Sequence, residues 1–325
     1  MITDIHCHFI PPAYFDFVKQ HGEFDTRVTA ERGEAVDLVC RGALYGLNRT
    51  FFEPARQIAR MDALGIDRTV ISLATPLINY YVDPKLALAA ARLCNDGFAD
   101  LVASEPKRFA AWAFLPMHDA QSAADELRRC VREHGLTGGH VATNVRGTYL
   151  SDTRFRPIFD AAKELDVPLF LHPADPPGRD RTADYELTVV AGYLFDSTIN
   201  LLRMICSNFL DCYRGLKLVC AHAGGYGLML RARMQREVDT NPALSPALPR
   251  KVGDYLRELY FDSVCFEPDY LRFAMSIVPP ERFLLGSDAP FPLGEPDPVK
   301  FIARALPARE AQLVLSENFA RLTGR

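Results

Sequence analysis

The sequence begins with the β-rich stretch Thr3-Asp4-Ile5-His6-Cys7-His8-Phe9, which carries two histidines two residues apart. Successive side chains of a strand point to opposite faces, so we expect His6 and His8 to share one face. Two imidazoles on one face can hold a divalent metal ion through their neutral ring nitrogens. Such a pair also arises by chance, so a metal site requires further ligands elsewhere in the chain.

The rest of the chain alternates between strand-like and helix-like stretches. Helical spacing of apolar residues marks 54–64, which ends at Gly65, and 84–104, which begins with a proline. The predicted strands are 3–9, 68–73, 109–114, 139–143, 167–172, 216–222, 259–262 and 282–286. A helix is predicted after each, and helices near 297–305 and 307–322 close the chain. This pattern predicts an α/β fold, a (β/α)8 TIM barrel, as a single domain over residues 1–325.

One segment does not follow the alternation. Residues from about 21 to 50 are mixed in composition, with a strand-like stretch at 35–40 among glycines. We interpret them as an insertion after the first strand, a small hairpin lying over one end of the barrel. Arg41 and Arg49 within it are candidates to reach a ligand, although a solvated Arg41 is the simpler interpretation. A further stretch, 240–250, is a proline-rich linker.

The composition excludes several classes of protein. The net charge is −4 with both signs interspersed, which favours neither a nucleic-acid partner nor a membrane surface. Eight cysteines without a Cys-x-x-Cys pair indicate reduced core residues. A strand at the very start leaves no room for a signal peptide, and no apolar run approaches the roughly 18 residues of a membrane span. We therefore expect a cytoplasmic protein.

Further metal-type residues occur where predicted strands end. His172 ends the fifth strand, His222 ends the sixth, and Asp288 follows the eighth. The active site of a TIM barrel lies at the carboxyl ends of its strands, so these side chains are expected to meet His6 and His8. Imidazoles and a carboxylate suit Zn²⁺ with a water completing its coordination. The fourth strand ends in Ala142-Thr143-Asn144, without the lysine that bridges binuclear sites, so one metal ion per subunit is expected.

Longer motifs accompany these residues over nearly the whole chain. They are Asp4-Ile5-His6-Cys7-His8, Arg56-Gln57-Ile58-Ala59-Arg60-Met61-Asp62, Arg108-Phe109, Leu115-Pro116-Met117, His172-Pro173-Ala174-Asp175, Ala221-His222-Ala223-Gly224-Gly225 and Leu285-Gly286-Ser287-Asp288-Ala289-Pro290-Phe291-Pro292-Leu293-Gly294-Glu295. With them the sequence resembles the amidohydrolase superfamily, in its amidohydrolase-2 branch, which includes α-amino-β-carboxymuconate-ε-semialdehyde decarboxylase. The last two motifs are the specific ones.

The resemblance implies a mononuclear zinc enzyme, with Mn²⁺ as the alternative metal, that removes CO2 without oxidation and without an organic cofactor. The family's metal ligands correspond to His6, His8, His172 and Asp288. Its catalytic histidine, a general acid and base beside the metal-bound water, corresponds to His222.

The resemblance also implies substrate-binding residues. Arg49 lies within one residue of the position of a carboxylate-binding arginine in the family. Arg233, or alternatively Arg231, corresponds to an arginine that reaches into the neighbouring subunit, which implies a homodimer. Phe291, together with Phe9 and Trp112, is a candidate to line the apolar part of the pocket, and barrel core is an equally good interpretation of Trp112.

The expected substrate is a small carboxylic acid, either aromatic and salicylate-like or carboxymuconate-like. Ala174 stands where the family's decarboxylase has a tryptophan, so the pocket is smaller there. The same site would also support a hydrolase of a lactone, amide or imide, or a hydratase of an unsaturated dicarboxylate. An inactive barrel that serves as a binding protein is a further alternative, but it should have lost a ligand or His222, and none is lost.

Overall fold

The computed structural model describes residues 1–244 and 248–324, so part of the predicted proline-rich linker, residues 245–247, lies outside the described residues. The strands in the described ranges are β1 (Thr3–Phe9), β2 (Thr26–Arg32), β3 (Ala35–Cys40), β4 (Ala43–Asn48), β5 (Arg68–Leu73), β6 (Phe109–Phe114), β7 (Gly138–Ala142), β8 (Asn144–Val145), β9 (Thr148–Tyr149), β10 (Leu169–His172), β11 (Leu218–Cys220), β12 (Tyr260–Asp262) and β13 (Phe283–Leu284). The helices there are α1 (Pro12–Gln20), α2 (Pro54–Leu64), α3 (Pro84–Ser104), α4 (Ala120–Arg132), α5 (Arg156–Leu165), α6 (Tyr193–Cys206), α7 (Phe209–Cys212), α8 (Gly227–Thr240), α9 (Val252–Leu256), α10 (Pro268–Ile277), α11 (Pro298–Ala305), α12 (Ala308–Gln312) and α13 (Asn318–Thr323).

Eight of these strands form the predicted parallel barrel. They neighbour one another in the order β1-β5-β6-β7-β10-β11-β12-β13, with helices between them around the outside. The sheet closes where the segment after β13 returns to β1. There the backbone N–H of Ile5 donates to the carbonyl of Leu285 at 2.8 Å, and that of His8 donates to Ala289 at 2.7 Å. The (β/α)8 prediction is confirmed.

The insertion after β1 is larger than the predicted hairpin. It is a three-stranded antiparallel sheet in the order β2-β3-β4, because residues 43–48 add a strand beside the predicted one. One face of β3 is buried through Val36, Leu38 and Cys40, and the alternating residues are half-buried. The apolar residues of 43–48 are interrupted by Gly46, which weakened their strand signal in the sequence.

The first strand contains a β-bulge that determines which of its side chains point into the barrel. Its pairing with β5 passes from Asp4 opposite Thr69 to Cys7 opposite Ile71, so β1 has one extra residue. Consequently Ile5 and His6 both face the interior, although they are adjacent. Asp4 and Cys7 face outward, where both lie close to Arg60 of α2. Cys7 therefore points toward the helical layer and not into the barrel.

Below the histidines the barrel interior is apolar. We call this set the lower layer: Ile5, Val70, Trp112, Phe170, Val219 and Leu284, closed from beneath by Phe319 and Leu322. All of them are almost completely buried. The indole N–H of Trp112 donates to the carbonyl of Ile5 at 2.9 Å, and its ring stacks on Phe170 at 5.9 Å between centroids. Trp112 is therefore barrel core.

One helical stretch is more apolar than the sequence analysis expected. Residues Thr188–Cys206 form a continuous helix with a mean hydropathy of 1.3, enough to span a membrane by length and composition alone. Its first turn is a π-helix, Thr188–Gly192, that runs directly into α6. The face that carries Leu201, Met204 and Ile205 is buried in the core of the protein. Core helices of this kind pass the same test, so the stretch is weak evidence for a membrane segment.

Candidate metal centre

His6 is held in one orientation by a buried carboxylate. Its Nδ1 lies 2.6 Å from Oδ2 of Asp262, the last residue of β12, and both side chains are fully buried. A carboxylate at this nitrogen makes Nδ1 the protonated one and leaves Nε2 as the free donor atom. Nε2 of His6 points to Asp288, 3.2 Å from its Oδ1.

His8 and His172 are oriented in the same way by backbone carbonyls. Nδ1 of His8 lies 3.3 Å from the carbonyl of Leu73 and 3.2 Å from the hydroxyl of Ser72. Nδ1 of His172 lies 2.7 Å from the carbonyl of Pro173. In all three histidines Nδ1 therefore has an acceptor, and Nε2 is available for a ligand in the barrel interior.

Asp288 is brought to these rings by a segment that packs against the first strand. Oδ1 of Asp4 accepts the backbone N–H of Ser287 at 3.1 Å, and Oδ2 accepts its hydroxyl at 2.5 Å. The backbone N–H of Asp288 donates to the carbonyl of His6 at 2.8 Å, and its φ is 60°. Gly294 makes this turn feasible, because a Cβ there would lie 2.7 Å from the carbonyl oxygen of Ser287.

His222 follows β11 in an unusual backbone conformation. Its φ is 55° and that of Ala223 is 51°, in the left-handed region that side chains normally avoid. The carboxylate of Asp262 stabilises this turn by accepting the backbone N–H of His222 at 3.0 Å and that of Ala223 at 2.9 Å. Nε2 of His222 thereby comes within 3.4 Å of Oδ2 of Asp288.

The predicted metal-type side chains meet at one point. Donor atoms of His6, His172, His222 and Asp288 all lie within 4.8 Å of one another. His8 is at the edge of this group, with its Nε2 3.0 Å from Oδ1 of Asp288. Among the described residues, Nε2 of His172 has no hydrogen-bond partner, and Nε2 of His6 has only the Asp288 carboxylate nearby. A divalent cation would satisfy both, so these residues fit a metal site.

The charges of the site are strongly coupled. Burial disfavours the charged form of His6, but Asp288 and Asp262 raise the pKa of His6 to about 10. Burial also opposes ionisation of Asp288, yet His6 and the other imidazoles hold its pKa well below its usual range. Burial and the charge on His6 lower the pKa of His172 far below its ordinary value. Neutral His172 is thus in the form that coordinates a metal.

Of the predicted substrate-binding residues, only Phe291 lies at the centre. Its ring is 5.1 Å from that of His8 and 4.8 Å from that of Phe51. The guanidinium of Arg49 instead donates to the carbonyl of Gly33 at 2.9 Å and to Glu31 at 3.3 Å on the insertion sheet. These contacts give its predicted role in substrate binding no support, and the role stays a prediction.

The other predicted pocket residues lie elsewhere. Arg233 is exposed on α8 and has no ion pair with any residue that the structure describes, and a role across a subunit boundary stays a prediction. Arg231 on the same helix packs beside Gly253. Phe9 is buried in the core with Ile10 and Phe51, outside the lower layer.

The sequence analysis missed two side chains of this centre. Asp262 orients His6 and stabilises the turn at His222. The sequence could have indicated it, because it is an acidic residue at the end of the seventh predicted strand. His140 on β7 is buried, with its ring 5.6 Å from that of His172, and neither ring nitrogen has a hydrogen-bond partner within 1–244 or 248–324. It lies inside a strand rather than after one, so the search of strand ends passed over it.

Comparison with known proteins places the chain in a family. The sequence profile described as Amidohydrolase matches residues 3–325. The chain is 28% identical over 306 residues to 2-amino-3-carboxymuconate-6-semialdehyde decarboxylase of Dictyostelium discoideum, covering 92% of this chain and 84% of the relative. It is 33% identical over 250 residues to gamma-resorcylate decarboxylase of Rhodococcus jostii, covering 71% and 75% respectively.

Solved structures show the same fold. A dihydroxybenzoic acid decarboxylase from Polaromonas, determined with bound manganese and the inhibitor 2-nitroresorcinol, superposes with a TM-score of 0.80. The two chains are 23% identical, and the match covers 99% of this chain and 96% of that one.

The barrel carries a cluster of histidines with one aspartate that could hold a metal ion. The chain belongs to the amidohydrolase family, as the resemblance predicted. It is an enzyme, and both relatives described above are named as decarboxylases.

Proposed function

We propose that this protein is a metal-dependent, non-oxidative decarboxylase of a small aromatic, salicylate-type or carboxymuconate-like carboxylic acid. One observation carries the proposal. The donor atoms of His6, His172, His222 and Asp288 converge within 4.8 Å at the carboxyl ends of the barrel strands. The similarity to decarboxylases of semialdehyde and resorcylate acids supports the same chemistry here.

We assign His6, His8, His172 and Asp288 as the metal ligands. The fixed Nδ1 contacts of the three histidines support this assignment, because each leaves Nε2 free for the ion. The bound ion would act as a Lewis acid that stabilises negative charge on a substrate oxygen. Zn²⁺ suits three imidazoles and a carboxylate, and Mn²⁺ is the alternative metal.

We assign His222 as the general acid and base. Decarboxylation breaks the bond between the carboxylate carbon and its neighbour, and the electron pair stays on that neighbouring carbon. A proton must then be delivered there, and an imidazole transfers protons readily near neutral pH. The His222 ring is 5.0 Å from the His172 ring and is one-tenth exposed, so it borders the opening to solvent. Phe291 beside His8 would exclude water from the substrate ring.

The proposal also includes the number of metal ions, the oligomeric state, the cellular compartment and two further substrate-binding residues. We expect one metal ion per subunit, a homodimer in the cytoplasm, and Arg49 and Arg233 as further contacts to the substrate. The exposed position of Arg233 on α8 is compatible with a contact across a subunit boundary.

The test combines metal analysis with a substrate screen. The purified chain is loaded with Zn²⁺ or Mn²⁺, its bound metal is counted by mass spectrometry, and CO2 release is followed from a panel of aromatic and dienoic acids. We expect one ion per chain and CO2 release from at least one acid. Turnover of a lactone, amide or imide with no CO2 from any acid would show a hydrolase instead. Water addition to an unsaturated dicarboxylate would show a hydratase.

A further inference from the structure

The side chain of Asn48 joins the insertion sheet to the segment that follows β13. Asn48 is the last residue of β4. Its Nδ2 donates to the carbonyl of Pro290 at 3.0 Å, and its Oδ1 accepts the backbone N–H of Thr50 at 3.0 Å. A carbonyl requires the donor end of the amide and an N–H requires the acceptor end, so the two partners together fix the orientation of the side chain. The amide therefore connects two regions that lie 242 positions apart in the sequence.

The contact is made at the residue before Phe291. The first strand holds the preceding residue, since the backbone N–H of His8 donates to the carbonyl of Ala289 at 2.7 Å. A proline has no N–H, so the main chain of Pro290 can be hydrogen-bonded only through its carbonyl. Asn48 binds that carbonyl. The backbone that leads into Phe291 is therefore fixed by the first strand and by the insertion sheet together.

The Phe291 ring lies between the metal centre and the insertion. Its centroid is 5.1 Å from that of His8 and 4.8 Å from that of Phe51, and both pairs are arranged edge to face. Phe51 is fully buried, and its carbonyl accepts the backbone N–H of Ile10 at 2.7 Å. Phe291 itself is half-buried, so part of its ring is open to a ligand.

Two neighbouring residues of the insertion differ in the direction of their side chains. Arg49 is turned toward Gly33 and Glu31 on the insertion sheet, whereas Asn48 reaches the segment beside the metal centre. Successive side chains of an extended chain point to opposite sides, and Asn48 is extended, with φ −122° and ψ 165°. The end of β4 therefore contacts the segment beside the centre through a neutral amide.

We propose that Asn48 is a positioning residue that holds the Phe291 ring as an apolar wall for the substrate ring. Without the bond to Pro290, more positions would be open to the half-buried Phe291 ring. Ordering that ring would then lower the free energy gained when the substrate binds. This inference rests on the proposed function and deepens it, because it makes recognition of the substrate ring, and not of its carboxylate, depend on the insertion sheet.

Direct binding tests the inference without requiring turnover. Benzoate, which has a ring, and acetate, which has only the carboxylate, are titrated calorimetrically into the Zn²⁺-loaded full chain. Asn48→Ser removes the donor to Pro290 and keeps a hydroxyl that can accept the N–H of Thr50. It should weaken benzoate binding by about 3- to 10-fold, the value of one neutral hydrogen bond, and change acetate binding by less than about twofold. Its metal content should equal that of the unmodified chain.

A second variant shows whether Asn48 acts through Phe291. Phe291→Ala should weaken benzoate binding by about 10- to 100-fold, because the contact between the rings is lost. With Phe291 already removed, Asn48→Ser should change benzoate affinity by less than about twofold, since residues that act as a unit are not additive.

Asn241→Ser is the matched control for Asn48→Ser. The Asn241 amide also makes two hydrogen bonds, but on the surface at the end of α8. Its Nδ2 donates to Glu237 at 3.0 Å, and its Oδ1 accepts the backbone N–H of Ala243 at 3.0 Å. Asn241→Ser should change neither titration.

The outcomes separate this inference from the proposed function. Equal weakening of both acids by Asn48→Ser, no weakening of benzoate, or an undiminished effect in the Phe291→Ala background would overturn the positioning role. For an acid that is turned over, Asn48→Ser should raise KM by about 3- to 10-fold and leave kcat within about twofold. Selective weakening that depends on Phe291, with no CO2 from any acid, would overturn decarboxylation and leave the positioning role standing. Release of CO2 without that dependence would do the reverse.

Discussion

The two ends of the barrel interior are built from the same strands but have opposite chemistry. In the lower layer every inward side chain is apolar and packed, and the polar indole of Trp112 has its partner in Ile5. In the upper layer the inward side chains are His6, His8, His140, His172, His222 and Asp288, and several of their buried nitrogens have no hydrogen-bond partner in the described part of the chain. One end of the strands gains free energy by excluding water, and the other holds polar groups that a ligand must satisfy.

The two layers meet at Phe170 and between Ile5 and His6. Phe170 stacks on Trp112 below and has its ring 4.9 Å from that of His6 above. The bulge in β1 places Ile5 in the lower layer and His6 in the upper one, although they are adjacent in sequence. Stability and function are thus separated by one residue along the strand. Substitutions on the two sides of this boundary should therefore affect different measurements.

The largest effect is expected at His222. His222→Asn removes the proposed acid and base and should lower kcat by about 10²- to 10⁴-fold, while the metal content stays at the unmodified level. Mass spectrometry for metal and a CO2 assay measure the two quantities on one sample. His21→Asn is the control, because His21 is half-buried just after α1 and its Nδ1 lies 2.8 Å from the carbonyl of Phe17 on that helix. Loss of the metal from His222→Asn would instead make His222 a ligand, as its place in the donor group allows.

A substitution in the lower layer should change the free energy of unfolding by an amount comparable to the change in activation free energy at His222. It should leave catalysis almost unchanged. Leu322→Ala removes a fully buried side chain that closes the barrel from beneath, and should cost about 2–5 kcal/mol of unfolding free energy. Chemical denaturation measures this loss. The metal affinity and kcat of the folded protein should remain within a few-fold of the unmodified values. A fall in metal affinity as large as the fall in stability would show that the layers are not separable.

Asp262 is expected to have an intermediate effect, within the upper layer. Asp262→Asn keeps the shape but weakens the acceptor at Nδ1 of His6, and should reduce metal affinity by about 10- to 100-fold. Competition with a chelator of known affinity measures the change. Asp37→Asn, a half-buried aspartate on the insertion sheet, is the control and should leave metal affinity unchanged. An unchanged affinity in Asp262→Asn would mean that the neighbouring rings alone orient His6.

The smallest effect is expected at Ser72. Its hydroxyl donates to the carbonyl of Cys7 and lies 3.2 Å from Nδ1 of His8, which also has the Leu73 carbonyl as an acceptor. Ser72→Ala should therefore lower metal affinity by less than about tenfold, because one contact to His8 remains. The same chelator competition measures it. An effect as large as that of Asp262→Asn would show that Ser72, and not Leu73, orients His8.

The repeating pattern explains why the barrel was predictable from the sequence. Several elements, such as α3 and β6, have the predicted bounds, because proline at the first turn and a β-rich run are local signals. The predicted strands 216–222 and 282–286 are longer than the observed β11 and β13. An apolar stretch of sequence does not show at which residues the hydrogen bonds between strands end. The strand at 43–48 was missed because its pairing with β3 is a tertiary contact.

The site was predictable only in part, because some of its features also depend on tertiary contacts. Residue type and position at strand ends pointed to the histidines and Asp288, which the structure brings together. The bulge that turns His6 inward depends on pairing with β5, and the place of Arg49 depends on Glu31 and Gly33 across the insertion sheet. Contacts between distant segments decide these features, and a single sequence does not display them.

The bond between Asp4 and Ser287 has a consequence for how the enzyme matures. It joins residues 283 positions apart, and it positions Asp288 against His6. Closing so long a loop is slow and entropically costly, so this contact should form late in folding. A chain still emerging from the ribosome lacks Asp288 and cannot assemble the ligand set. Metal uptake at the proposed site would thereby be coupled to completion of synthesis, because the ligand set exists only after the two ends of the barrel have met.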